Sequence, residues 1–160
     1  FNPFLLFFML GVQKLLKNSR TILFSTRISE ITGLLKGQSV LDVLNKVAKA
    51  VRHWSGGTNI AEAIAQLNRG MLLEGSPKST VLVIVSDGYD NGDIERIVKE
   101  LTITKRQIRS LVWINPMYGA SSFEVRSKTM KAALPFIDEF LPAYNTESLE
   151  KLVAGLNRIK

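Results

Sequence analysis

The stretch VLVIVSDGYDNGD, Val81 to Asp93, decides the fold, and WSGGTNIAEAI, Trp54 to Ile64, completes its reading. Five apolar residues, Val81 to Val85, run directly into a polar loop that presents the carboxylate of Asp87. A strand that is apolar at every position, without alternation, is what burial on both faces of a parallel sheet requires. The earlier stretch also opens a helix, and just before it stand Gly56, Gly57 and the hydroxyl of Thr58. Paired glycines let the backbone approach a ligand closely, and hydroxyl and carboxylate oxygens suit a small divalent cation such as Mg²⁺, which keeps several waters. Gly-Gly before a helix also reads as a plain turn, and an Asp at a strand end also reads as a cap. The residues alone leave both readings open.

Outward from this stretch, strand and helix patterns alternate. Upstream, the spacing predicts a helix over 3–18, a strand over 20–25, a weak strand near 28–35 and a helix over 40–53. Ser39 and Asp42 form a capping pattern at the start of that last helix, with Val40, Leu44, Val47 and Val51 on one face. Asn59 and Glu62 begin the next helix in the same manner, with Ile60, Ile64, Leu67 and Met71 inward. A linker containing Gly75 and Pro77 leads to the strand at 80–86. Downstream, Asp93 caps a helix whose Ile94, Ile97, Val98 and Leu101 face the core, and Ile108 to Ile114 returns as a strand ended by Asn115-Pro116. A helix at 127–134, a strand at 136–141 and a helix at 146–157 complete the series. The alternation predicts one α/β domain with a doubly wound, mostly parallel sheet and helices on both faces. Ligands in such sheets sit beyond the carboxyl ends of strands, the expected place of Thr58 and Asp87.

Composition narrows the chemistry. A chain of 160 residues with 46% hydrophobic content supports one domain with a substantial core. The absence of cysteine excludes disulfides, zinc-thiolate sites and thiol catalysis, and fits a cytoplasmic protein. The net charge of +7 comes from 21 scattered basic residues, dense only around Lys105, Arg106, Arg109 and around Arg126, Lys128, Lys131. That scatter reads as a solvated surface and predicts neither a nucleic-acid nor a membrane partner. The apolar run from Phe4 to Val12 is too short to span a bilayer and reads as a helix buried or covered by a partner.

Other site chemistries fit less well. An EF-hand beginning at Asp87 would need an oxygen ligand where Tyr89 stands and a Glu where Val98 stands. His53 is the sole histidine, next to a helix end, and reads as a packed imidazole more readily than as part of a Ser-His-Asp assembly. No Walker A or G-x-G-x-x-G sequence is present. A Mg²⁺-dependent phosphohydrolase using Asp87 and Asp90 stays open, as does a basic nucleic-acid-binding module. Trp54 and Tyr89 flank the two loops and either line a binding surface or seal a sheet edge. Asn115 to Tyr118 form either a specificity rim or a strand terminator.

Read in order, FSTRISEIT, WSGGTNIAEAI, VIVSDGYDNGD, LVWINPMYG and FLPAYNTESLEKL resemble successive landmarks of von Willebrand factor A domains of the CoxE type, over nearly the whole chain. In that family a metal-ion-dependent adhesion site combines a D-x-S-x-S motif after the first strand with a Thr and an Asp from two later loops. The resemblance places Thr58 and Asp87 on the latter two, Thr58 coordinating Mg²⁺ directly and Asp87 through water, with Gly56, Gly57, Gly88, Tyr89 and Asn115 as the partner-binding rim. None of the five Asp residues, at 42, 87, 90, 93 and 138, begins a D-x-S-x-S sequence. The expectation is a fragment lacking that motif and the first strand, which by resemblance is central in the sheet, so that its site is incomplete. The resemblance further implies a non-enzymatic adaptor, paired with a MoxR-type AAA+ ATPase and serving a client metalloenzyme such as carbon monoxide dehydrogenase.

Overall fold

The apolar run at 81–85 does form a strand, and the chain around it folds by parallel crossovers. A computed structural model describes residues 9–11, 13–14, 18–36, 39–51, 57–77, 79–90, 92–115 and 127–142, with positions 147, 150 and 154. Strands β3 (Val81–Val85), β4 (Ser110–Asn115) and β5 (Glu139–Pro142) lie side by side in that order, all parallel. Val81 pairs with Ser110 and Val85 with Ile114, while Val112 pairs with Glu139. Parallel neighbours need a crossover long enough to return the chain to the starting edge. Helix α4 (Ile94–Gln107) supplies the first, and α5 (Lys128–Ala133) lies in the second. Two short strands, β1 (Ile22–Phe24) and β2 (Ile28–Glu30), form a separate antiparallel pair.

Both faces of β4 are covered, as a doubly wound sheet demands. Leu111 and Trp113 point into the main core, and Val112 and Ile114 on the opposite face are also fully buried. That main core gathers Ile60, Ile64 and Leu67 from helix α2 (Ile60–Arg69), Ile97 and Leu101 from α4, and Met130 and Ala133 from α5. Ile22 and Phe24 pack against it, whereas Leu23 between them packs with a second, smaller core. The period of two along a strand thus sends one side chain of β1 to each face. The smaller core holds Leu10, Ile31, Leu35, Val43 and Val47, under helix α1 (Val40–Val51).

Several expectations are corrected in detail. Residues 28–35 do not continue as a strand: β2 ends at Glu30, and a 3-10 helix follows at Thr32–Leu35. On α1, among the residues whose burial is described, Val43 and Val47 are buried and Val40 is exposed, because the helix leans on Ile31 and Leu35. The helix from Ile60 stops at Gly70, and a separate turn, α3 (Met71–Glu74), buries Leu72 more deeply than Met71. On α4 the buried stripe runs through Ile97, Glu100, Leu101 and Thr104, leaving Val98 39% exposed. Polar residues form part of that stripe because Asn68 of α2 donates to Glu100 Oε2 at 2.8 Å and accepts from Thr104 Oγ1 at 2.9 Å. Of β3 only Ile84 is fully buried. Residues 134–136 form a 3-10 helix, so β5 begins at Glu139.

The remaining expectations near the chain ends are only partly covered. Positions 9–11 and 13–14 are helical, as are Glu147, Glu150 and Ala154, while the rest of the helices expected at 3–18 and 146–157 lies outside the described residues. His53, Trp54 and Gly56 also lie outside them, as do Pro116 to Tyr118. Among the described residues no helix is long and apolar enough to cross a membrane.

Candidate functional site

The loop that follows β3 is built from the core upward. Trp113 is fully buried, and its one polar atom, Nε1, donates to the Ser86 carbonyl at 2.9 Å. A buried indole N–H needs such a partner, and here meeting that need fixes the first loop residue. Ser86 N donates to the Ile114 carbonyl at 3.0 Å, carrying the ladder one step beyond β3. Two tight side-chain turns follow: Gly88 N donates to Ser86 Oγ, and Tyr89 N to Asp87 Oδ1, both at 3.0 Å. Ser and Asp side chains mimic a backbone turn in this way. Gly88 takes φ +79°, a left-handed conformation that glycine adopts at no steric cost, and a Cβ there would lie 3.0 Å from Met130 Cβ.

Thr58 reaches the same region by another route. The next residue, Asn59, donates its backbone N–H to the Ser25 carbonyl at 2.9 Å, just past the end of β1. Its side chain caps α2 by accepting from Glu62 N at 3.0 Å. The expected cap is therefore half correct: Glu62 does not reach back to Asn59 but bonds Gln66 and Arg96, and these partners, Gln66 first, hold its carboxyl below the usual range. Gly57 has φ +81°, so the segment before α2 turns as a glycine loop should.

Asp90 joins the two segments. Its Oδ2 accepts from Ile60 N, the first residue of α2, at 2.8 Å, and its Oδ1 accepts from Thr129 Oγ1 of α5 at 2.6 Å. Ser127, the N-cap of α5, accepts from Met130 N and donates to the Gly88 carbonyl. Three chain segments around residues 58, 87 and 128 thus meet at the carboxyl end of β3. Asp93 stands further along the loop and caps α4, accepting from Glu95 N at 3.0 Å, as its position before the helix predicts.

The oxygens left over are informative. Among the described residues, Thr58 Oγ1 makes no hydrogen bond, and Asp87, exposed at the loop crest, uses only Oδ1. Both are hard donors, the kind that suits Mg²⁺, whereas both oxygens of Asp90 are already taken. Thr58 and Asp87 would hold such a cation. Among the described residues no group of three or more His, Cys, Asp or Glu side chains gathers into a metal cluster. Of the expected rim, Gly57 is exposed and Tyr89 is 55% exposed. Gly88 and Asn115 are buried, and Asn115 Nδ2 donates to the Asp87 carbonyl at a long 3.4 Å. Sequence reasoning missed Ser127 and Thr129; their hydroxyls at a helix start signalled a cap, but nothing in the sequence signalled the Gly88 and Asp90 contacts.

A family model described as VWA domain containing CoxE-like protein matches residues 1–149. The chain belongs to this family. Among curated proteins none matches it. As a CoxE-like VWA domain the chain has the α/β architecture described above, with Thr58 and Asp87 on the segments that meet at the carboxyl end of β3.

Proposed function

We propose that this CoxE-like VWA domain is a non-enzymatic, cytoplasmic adaptor that binds a protein through a Mg²⁺ held by Thr58 and Asp87. Its partner in this reading is a MoxR-type AAA+ ATPase, and its client a maturing metalloenzyme such as carbon monoxide dehydrogenase. Membership of the family supports the class of function. The observation that carries the site is the pair of oxygens uncommitted among the described residues, Thr58 Oγ1 and Asp87 Oδ2, beside Ser86 and Asp90, whose side chains are bonded. When bound, the cation offers a coordination position that a partner carboxylate completes. Asp87 keeps its carboxylate at the crest by an Asx turn to Tyr89 N, and Tyr89 supplies exposed aromatic surface beside it. The phosphohydrolase alternative needs Asp90 as a second reactive carboxylate, and both of its oxygens are occupied by Ile60 N and Thr129 Oγ1.

Binding of the ATPase to the chain in Mg²⁺ and in EDTA, with Thr58→Ala alongside, tests this reading. The expected outcome is Mg²⁺-dependent binding weakened about tenfold by the substitution, with an unchanged melting curve, since a surface hydroxyl contributes little to stability. Equal binding by the variant would remove Thr58 from the site.

A further inference from the structure

Building on the reading of Thr58 and Asp87 as the partner-facing oxygens, we infer that Asp90 is a positioning residue that couples the Thr58 segment to α5 across the loop carrying Asp87. The first N–H groups of a helix have no partner within it, and its N-terminus carries partial positive charge. In α2, Asn59 serves the Glu62 N–H from its own chain segment, while Asp90 serves the Ile60 N–H from the loop after β3. A carboxylate suits that place, because a charge-assisted hydrogen bond is stronger than a neutral one. The second oxygen of the same carboxylate takes the Thr129 hydroxyl, so one side chain has an end on each helix.

The surroundings fix this carboxylate rather than leaving it to swing. At Gly92 a Cβ would lie 3.1 Å from Asp90 Oδ2 and 3.2 Å from Asn59 Oδ1, so the chain passes close against both capping groups. On the other side, Met130 packs where Gly88 lacks a Cβ, and Ser127 donates to the Gly88 carbonyl. The Asp87 crest is therefore flanked by three contacts to α5 and its cap, through Ser127, Thr129 and Met130, and by one to α2, through Ile60. Displacement of the crest by a bound partner strains the Ile60 and Thr129 bonds together, and α5 registers what happens at Thr58 and Asp87. Asp90 sets where the two uncommitted oxygens stand without lending an oxygen of its own.

Hydrogen exchange by NMR on the full chain, with Asp90→Ala, Asp90→Asn and Thr129→Val, separates this role from the alternatives. Asp90→Ala is expected to speed exchange of the Ile60 and Met130 amides about tenfold while the Leu111 to Ile114 amides stay unchanged. Thr129→Val, which touches neither α2 nor Ile60, is expected to speed Ile60 exchange by about threefold. Asp90→Asn keeps an acceptor for Ile60 N and a polar group for Thr129, so it should restore Ile60 protection and retain Mg²⁺-dependent partner binding. Unchanged Ile60 exchange in Thr129→Val would overturn the coupling. Loss of binding in Asp90→Asn with Ile60 still protected would make Asp90 a metal ligand instead. If the unsubstituted chain binds neither Mg²⁺ nor the ATPase, the adaptor reading fails, and the exchange measurements still decide the coupling.

Discussion

Two polar clusters involve α2, one at its start, shared with the loop after β3 and with α5, and one along its contact with α4, and they are built to opposite ends. In the α2–α4 cluster, Asn68, Glu100 and Thr104 are all buried and satisfy one another: Asn68 Nδ2 reaches both the carboxyl and the carbonyl of Glu100, and Thr104 Oγ1 lies 2.9 Å from Asn68 Oδ1. At the loop cluster, Asp90 closes in the same manner, but among the described residues Asp87 Oδ2 and Thr58 Oγ1 beside it keep no hydrogen-bond partner. A buried polar group without a partner is costly, so a closed network fixes how two helices seat. Open oxygens over a closed support are what a binding site needs.

The largest effect should come from opening the closed cluster. Asn68→Ala strips the buried Glu100 carboxyl of its side-chain donor and Thr104 of an acceptor, and is expected to cost about 3 kcal/mol in urea unfolding. Partner binding per folded molecule should stay unchanged; a loss of binding would mean that the two clusters are not separate. Gly88→Ala attacks the support of the open cluster, combining φ +79° with a 3.0 Å approach to Met130 Cβ. It should destabilise by about 2 kcal/mol, read from the thermal midpoint, and weaken partner binding as well. Wild-type binding in this variant would separate the Asp87 crest from α5.

The smallest effect lies outside both clusters and calibrates them. Arg20 holds the Glu30 carboxyl at about 2, against an ordinary 4.5, through paired hydrogen bonds of 2.9 Å. A depressed carboxyl pKa contributes stability that is full above pH 4.5 and is lost as the pH falls toward 2. Both side chains are partly exposed, 43% and 34%, so the contribution is below about 1 kcal/mol. Urea midpoints of the chain and of Glu30→Gln, compared from pH 6 down to the acid limit of folding, should converge on acidification. A constant difference would show that the ion pair contributes nothing that titrates.

Much of this was legible in the sequence because it depends on local periods. The apolar run Val81 to Val85 and the caps at Ser39, Asn59 and Asp93 all act within a few residues, and each forms as its local chemistry dictates. What was not legible depends on partners far along the chain. The buried stripe of α4 includes Glu100 and Thr104 at the expense of Val98 only because Asn68 faces it. Val40 reads as core by periodicity, yet it is exposed because α1 meets Ile31 and Leu35. At the site, Thr58 and Asp87 were readable as hard oxygens in glycine loops. Asp90 read only as the second carboxylate of a phosphohydrolase, and its contacts to Ile60 and Thr129 give it a different role.

Calorimetric titration with Mg²⁺ decides whether Thr58 and Asp87 hold the cation, performed on this chain, on Asp87→Ala, and on a version carrying a D-x-S-x-S strand ahead of Phe1. The expected result is weak binding by the chain itself, at least about tenfold tighter binding when the added motif supplies further oxygen ligands, and loss of both with Asp87→Ala. Binding that the added motif does not strengthen, or that survives Asp87→Ala, would contradict it.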